Sequence, residues 1–112
     1  MISLLIEAAD RYLAECFAAA TPPHVNEFAA RLGMTPRTLN RSFRSEASVS
    51  VGAYFRNARI AHAKELLATT ELSVASIAEA AGFGTRTSIY RVFRRILGMT
   101  PEEYRLQCAS RD

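Results

Sequence analysis

Residues 74–94 read VASIAEAAGFGTRTSIYRVFR, and residues 25–44 read VNEFAARLGMTPRTLNRSFR. The two stretches are copies of one motif. Before the turn, corresponding residues lie 49 positions apart, as Val25 and Val74 do. Beyond the turn the second copy has gained one residue, and the spacing becomes 50 for Thr35 and Thr85, Arg41 and Arg91, and Phe43 and Phe93. In each copy a short apolar stripe ends at a glycine and a second stripe follows, so the repeat predicts two helix-turn-helix units.

Three further helices are predicted outside the two copies. Apolar residues recur at helical spacing in residues 3–20 and 50–68, and Thr100 opens a capping box with Pro101 as its second residue. The chain is therefore expected to be all-α, with about seven helices in a homeodomain-like arrangement. The predicted parts are an N-terminal helix with the first helix-turn-helix subdomain, a long linker helix and the second helix-turn-helix subdomain, at residues 1–49, 50–69 and 70–112.

The composition is typical of a soluble globular protein, because hydrophobic residues make up 49% and charged residues 22% of the 112 residues. The apolar runs are too short to span a bilayer, and the N-terminus lacks the features of a signal peptide. Cys16 and Cys108 form no metal-binding spacing and are interpreted as reduced thiols. We therefore expect a cytoplasmic protein without membrane contact.

The basic residues are concentrated in the second helix of each copy. Of the 14 basic residues, 13 are arginines, and seven of these lie in the acid-free segments 35–45 and 85–97. The planar guanidinium of arginine matches both a phosphate and the edge of a guanine base. The distribution therefore predicts double-stranded DNA as the partner, although a basic helix face can also be merely solvated.

In a helix-turn-helix unit the second helix enters the major groove while the first lies across the backbone. Opposite its apolar face, each second helix carries polar residues that we interpret as base contacts: Arg37, Asn40 and Arg41 in the first copy, and Arg86, Thr87, Tyr90 and Arg91 in the second. Residues that lie further along or to the side are interpreted as phosphate contacts: Thr38, Arg44, Ser88, Arg94 and Arg95. The alternative is an amphipathic helix that only packs.

Enzymatic function is not expected. The sequence offers no pair of nucleophile and base, no carboxylate dyad, no metal-ligand cluster and no phosphate-binding loop. We therefore predict neither a catalytic residue nor a metal or cofactor. A second interpretation is a helical protein-interaction module that contacts RNA polymerase or another regulator, but the acid-free arginine faces favour DNA.

A family signature lies in the linker stretch Arg59-Ile60-x-x-Ala63-x-x-Leu66-Leu67 and in Gly82, Phe83, Arg91, Val92, Phe93, Gly98, Thr100, Pro101, Tyr104 and Arg105. With these residues, nearly the whole chain resembles the C-terminal DNA-binding domain of AraC/XylS-type transcriptional regulators. It implies two subdomains bridged by one helix, with recognition helices at about residues 35–46 and 85–97 in adjacent major grooves. It also implies that the base contacts named above are the base-facing positions.

The resemblance further implies partners and one difference within the repeat. A regulator of this bacterial type is expected to contact RNA polymerase, and its effector or dimerisation domain, if it has one, would lie outside this chain. Such an arrangement favours a C-terminal portion over a stand-alone regulator. Ser48 stands where the family usually has a glycine, whereas Gly98 fills the equivalent place in the second copy. We therefore expect the first recognition helix to end in a differently bent tail.

Overall fold

The computed structural model describes residues 3–110, which form seven helices and no strand. The helices are α1 (Leu4–Ala19), α2 (Val25–Arg31), α3 (Pro36–Ala47), α4 (Val51–Thr69), α5 (Val74–Ala80), α6 (Arg86–Leu97) and α7 (Pro101–Ala109). The two helix-turn-helix pairs are α2–α3 and α5–α6. The predicted all-α fold with seven helices is confirmed.

Most helices begin at a hydroxyl side chain. The side chain of the residue before α1, α3, α4, α5, α6 and α7 accepts a hydrogen bond from the backbone N–H three residues later, and these caps are Ser3, Thr35, Ser50, Ser73, Thr85 and Thr100. Each such cap stabilises a helix start by about 1 kcal/mol. The starts of these six helices are therefore determined by the local sequence.

Two separate hydrophobic cores lie at the two ends of α4. The first core joins α1, α2 and α3 to the N-terminal half of α4, which contributes Val51 and Phe55. The second core joins α5 and α6 to the C-terminal half of α4, which contributes Ile60, Ala63 and Leu67. Since 19 helical residues span about 28 Å, α4 sets the separation of the two helix-turn-helix units.

The turn of the second unit packs against the loop that leads into the first unit. Gly82 has φ +79°, and a Cβ atom built on it would lie 2.9 Å from Cδ of Pro23. The guanidinium of Arg59 on α4 lies over the ring of Phe83, 5.5 Å from its centroid. The two units are therefore connected by this direct contact as well as by α4.

Helix α3 ends as α6 does. Ser48 adopts φ +65° and Gly98 adopts φ +70°, both in the left-handed region. The N–H of Ser48 donates to the carbonyl oxygen of Arg44 at 3.0 Å, and that of Gly98 donates to Arg94 at 3.1 Å. The expected difference between the two tails is therefore wrong, because Ser48 takes the conformation that the family's glycine would take.

Ser48→Gly is expected to stabilise the protein. A left-handed backbone costs an L-residue about 1–2 kcal/mol, and glycine does not bear this cost. The melting temperature should therefore rise by about 4 °C or more, as measured by thermal unfolding. Ser48→Ala is the control, because it removes the hydroxyl and keeps the strain, and it should leave the melting temperature nearly unchanged. An unchanged or lower melting temperature for Ser48→Gly would contradict the assignment of strain.

No helix within residues 3–110 is long and apolar enough to cross a membrane. Cys16 is buried in the first core, Cys108 is partly buried on α7, and both thiols are free.

Candidate nucleic-acid interface

Helix α3 has one apolar and one basic face. Leu39 and Phe43 are completely buried in the first core. The predicted contacts Arg37, Arg41 and Arg44 are all exposed, and none of these arginines forms an ion pair with another residue in the 3–110 range. The predicted phosphate contact Thr38 is also exposed, in the first turn of the helix. The structure thus brings these four residues onto the accessible part of one helix.

Asn40 lies apart from these residues, half-buried between α3 and α4. Its Oδ1 atom accepts a hydrogen bond from the backbone N–H of Val51, the first residue of α4, at 3.1 Å. A bidentate contact with adenine uses the same oxygen as an acceptor for the adenine amino group. The base contact predicted for Asn40 would therefore need this oxygen to leave Val51 or to accept a second hydrogen bond.

Helix α6 repeats the two-faced arrangement. Ile89 and Phe93 are completely buried in the second core. Five of the contacts predicted on this helix are exposed except Ser88, which is half-buried; they are Thr87, Ser88, Arg91, Arg94 and Arg95. The basic side chains among them make no ion pair within the described part of the chain. Their charge is therefore available to an anionic partner.

At the N-terminal end of α6, two predicted base contacts are bound to each other and to an acidic residue. Nη2 of Arg86 donates a hydrogen bond to Oη of Tyr90 at 3.0 Å, and the guanidinium also lies 5.0 Å from the centre of the Tyr90 ring. The Tyr90 hydroxyl donates in turn to Oε2 of Glu102, in the first turn of α7. The same carboxylate oxygen forms an ion pair with Arg86 at 3.5 Å.

Glu102 remains ionised in this cluster. Burial raises the pKa of its carboxyl group, but the hydrogen bond from Tyr90 and the charge of Arg86 outweigh that effect, so that the pKa lies below its ordinary value. An ionised carboxylate therefore lies beside the arginine that begins α6. Glu102 was not among the residues predicted from the sequence.

The sequence matches a family model described as a helix-turn-helix domain over residues 28–107. It is 35% identical over 97 residues to the HTH-type transcriptional activator RhaR of Klebsiella pneumoniae subsp. pneumoniae, and this match covers 86% of the chain and 34% of the relative. The chain therefore spans about a third of the length of this relative.

Solved structures of DNA-binding domains have the same fold. The DNA-binding domain of AdpA, described as a global transcriptional factor and crystallised with a target DNA, is similar with a TM-score of 0.85 and 30% identity, over 98% of this chain and 96% of that one. A transcriptional regulator from Chromobacterium violaceum, described as containing an AraC-type DNA-binding domain, matches with a TM-score of 0.76 and 28% identity, over 94% and 91% of the two chains. Because the family match extends from within α2 to α7 and so includes both recognition segments, the chain belongs to the AraC-type helix-turn-helix DNA-binding domains of transcription regulators.

Proposed function

We propose that this domain reads an asymmetric DNA site with both units, by inserting α3 and α6 into adjacent major grooves on one face of the duplex. One observation carries the proposal: two equivalent helices each present exposed arginines opposite a pair of completely buried residues. The longest dimension of the described chain is 43 Å. This length is sufficient to span one turn of B-DNA, about 34 Å.

In this proposal each residue contacts the part of the DNA that its side-chain type suits. Arg37, Arg41, Arg86 and Arg91 suit guanine edges, Thr87 and Tyr90 suit a thymine methyl group or a phosphate, and Asn40 suits adenine if its oxygen leaves Val51 or accepts a second hydrogen bond. Phosphate contacts would come from Thr38, Arg44, Ser88, Arg94 and Arg95. The two cores support a division into subdomains at 1–49 and 70–112 with a linker at 50–69.

The longer relatives suggest what surrounds this domain. RhaR is about three times as long as the matched segment and is named a transcriptional activator. We infer that this chain is the output portion of a bacterial-type regulator that acts in the cytoplasm and contacts RNA polymerase. An effector or dimerisation domain would lie outside the chain, and we assign the domain itself no catalytic activity.

Selection from a random DNA library, followed by affinity measurements at two salt concentrations, tests two-unit recognition. We expect an enriched asymmetric motif with two blocks about one helical turn apart and a steep loss of affinity with salt. Two identical inverted blocks, or a single block, would contradict the proposal that one chain reads DNA with both units.

Arg41→Ala and Arg91→Ala are expected to relax base preference in different blocks of that site. Each variant should lose about 1–3 kcal/mol of discrimination in favour of the preferred base at one position, which corresponds to about 5–150-fold in affinity. Repeating the selection with each variant measures the change. Arg11→Ala, an exposed arginine on α1 outside both units, is the control and should keep both blocks. Unchanged preferences in Arg41→Ala and Arg91→Ala would contradict base reading by these residues.

A further inference from the structure

The second unit carries an acidic residue where the first unit has none. At the spacing of 50 that relates the two recognition helices, Glu102 corresponds to Gly52, and Tyr90 corresponds to Asn40. Gly52 is exposed, and the space where its Cβ would lie is empty. The cluster of Arg86, Tyr90 and Glu102 is therefore specific to the second unit.

This cluster lies at the accessible surface. The side chains of Arg86 and Glu102 are 63% and 48% exposed, respectively. A carboxylate at this position repels phosphate groups and partly neutralises the arginine beside it. A phosphate that approaches Arg86 without further contacts must therefore compete with Glu102. This competition weakens binding that depends on charge alone.

The same cluster restricts the orientation of Arg86. Its Nη2 atom contacts Tyr90 and Glu102, and its guanidinium carbon lies 5.0 Å from the centre of the Tyr90 ring. The Nε and Nη1 atoms form no hydrogen bond within residues 3–110. A guanidinium held at one nitrogen still offers the donors of its other nitrogens to the guanine edge. A preoriented group loses less conformational entropy on binding.

We propose that Glu102 is a positioning residue that raises the sequence specificity of the second unit by orienting Arg86 through Tyr90 and by weakening contacts with phosphate alone. The inference rests on the proposed function, in which α6 reads bases. It predicts two opposite effects of removing the negative charge: binding to unrelated DNA becomes tighter, and discrimination in the block read by α6 becomes poorer.

Glu102→Gln tests both effects with DNA duplexes that carry the selected site, the site with its α6 block changed, or an unrelated sequence. Affinity for unrelated DNA should rise by about 2–5-fold. The slope of log affinity against log salt concentration should steepen by the amount that about one additional phosphate contact contributes. Discrimination in the α6 block should fall by about 2–5-fold, while discrimination in the α3 block should stay the same. Circular dichroism confirms that the variant is folded.

Two further variants separate orientation from charge. Glu71→Gln removes the same charge at an exposed position that borders the other end of α7, and it should leave discrimination unchanged. Tyr90→Phe keeps every charge and removes the bridging hydroxyl, and it should lower discrimination in the α6 block without tightening binding to unrelated DNA. In the Tyr90→Phe background, Glu102→Gln should lower that discrimination no further, whereas a direct contact of Tyr90 with DNA would leave the effect of Glu102→Gln intact.

The proposal is overturned if Glu102→Gln behaves like Glu71→Gln, or if it tightens binding to the selected and unrelated DNA equally. These results differ from a failure of the proposed function, in which the wild-type domain itself would select no α6 block.

Discussion

Phe93→Ala is expected to lower the free energy of unfolding by about 3–5 kcal/mol. Phe93 is completely buried on α6, and its ring makes edge contacts with the rings of Phe83 and Tyr104 at centroid distances of 6.5 and 6.3 Å. The second core is separate from the first, so residues of the first unit cannot fill the resulting cavity. Urea denaturation followed by circular dichroism measures the loss.

Ile96→Ala provides a control on the same helix. Ile96 lies one turn further along α6 but is 42% exposed, and its truncation should cost about 1 kcal/mol or less. If Phe93→Ala lowered the free energy of unfolding as little as Ile96→Ala does, the second core would not depend on this ring. The Phe93→Ala variant should also lose the α6 block of a selected DNA site before the α3 block.

The helix starts and the buried residues of the recognition helices could be predicted because their causes are local. A hydroxyl side chain caps the backbone N–H three residues later, and this spacing can be read directly from the sequence. Apolar residues four apart, such as Leu39 and Phe43, must share one face of a helix. The structure buries both of them completely.

The contacts around Asn40 and Tyr90 could not be predicted, because they depend on how the following helix packs. Asn40 binds the N–H of Val51, whereas the equivalent residue of α7 is Pro101, which has no N–H to donate. Tyr90 instead donates a hydrogen bond to the side chain of Glu102, the residue that follows Pro101. Both residues were predicted to contact bases from their side-chain types alone, and those contacts remain predictions.

The left-handed residue that ends α3 shows a different limit of sequence analysis. A serine at this position suggested a changed tail, since residues other than glycine seldom adopt positive φ. The repeat instead keeps its backbone, and Ser48 accepts the strain. The next helix, α4, is capped by Ser50 and packs into both cores, which restricts the path of the chain between α3 and α4.

Gly82→Ala is expected to destabilise the protein by about 2–4 kcal/mol, from about 1–2 kcal/mol of left-handed strain and a further steric cost. Gly82 has φ +79°, and its new Cβ would lie 2.9 Å from Cδ of Pro23, a ring atom that cannot rotate away. Relief would require the second unit to move relative to the first. Binding to DNA with both blocks at the wild-type spacing should therefore weaken more than binding to either block alone.

Gly33→Ala isolates the conformational part of this effect. Gly33 occupies the same place in the first copy and has φ +67°, but nothing lies within 4 Å of the position of its Cβ. Gly33→Ala should lower the free energy of unfolding by only about 1–2 kcal/mol, and the preferred spacing between the two DNA blocks should not change. Urea denaturation and binding to sites of varied spacing measure both variants. If both variants lost the same free energy of unfolding and kept the same spacing preference, the contact between Gly82 and Pro23 would not set the orientation of the two recognition helices.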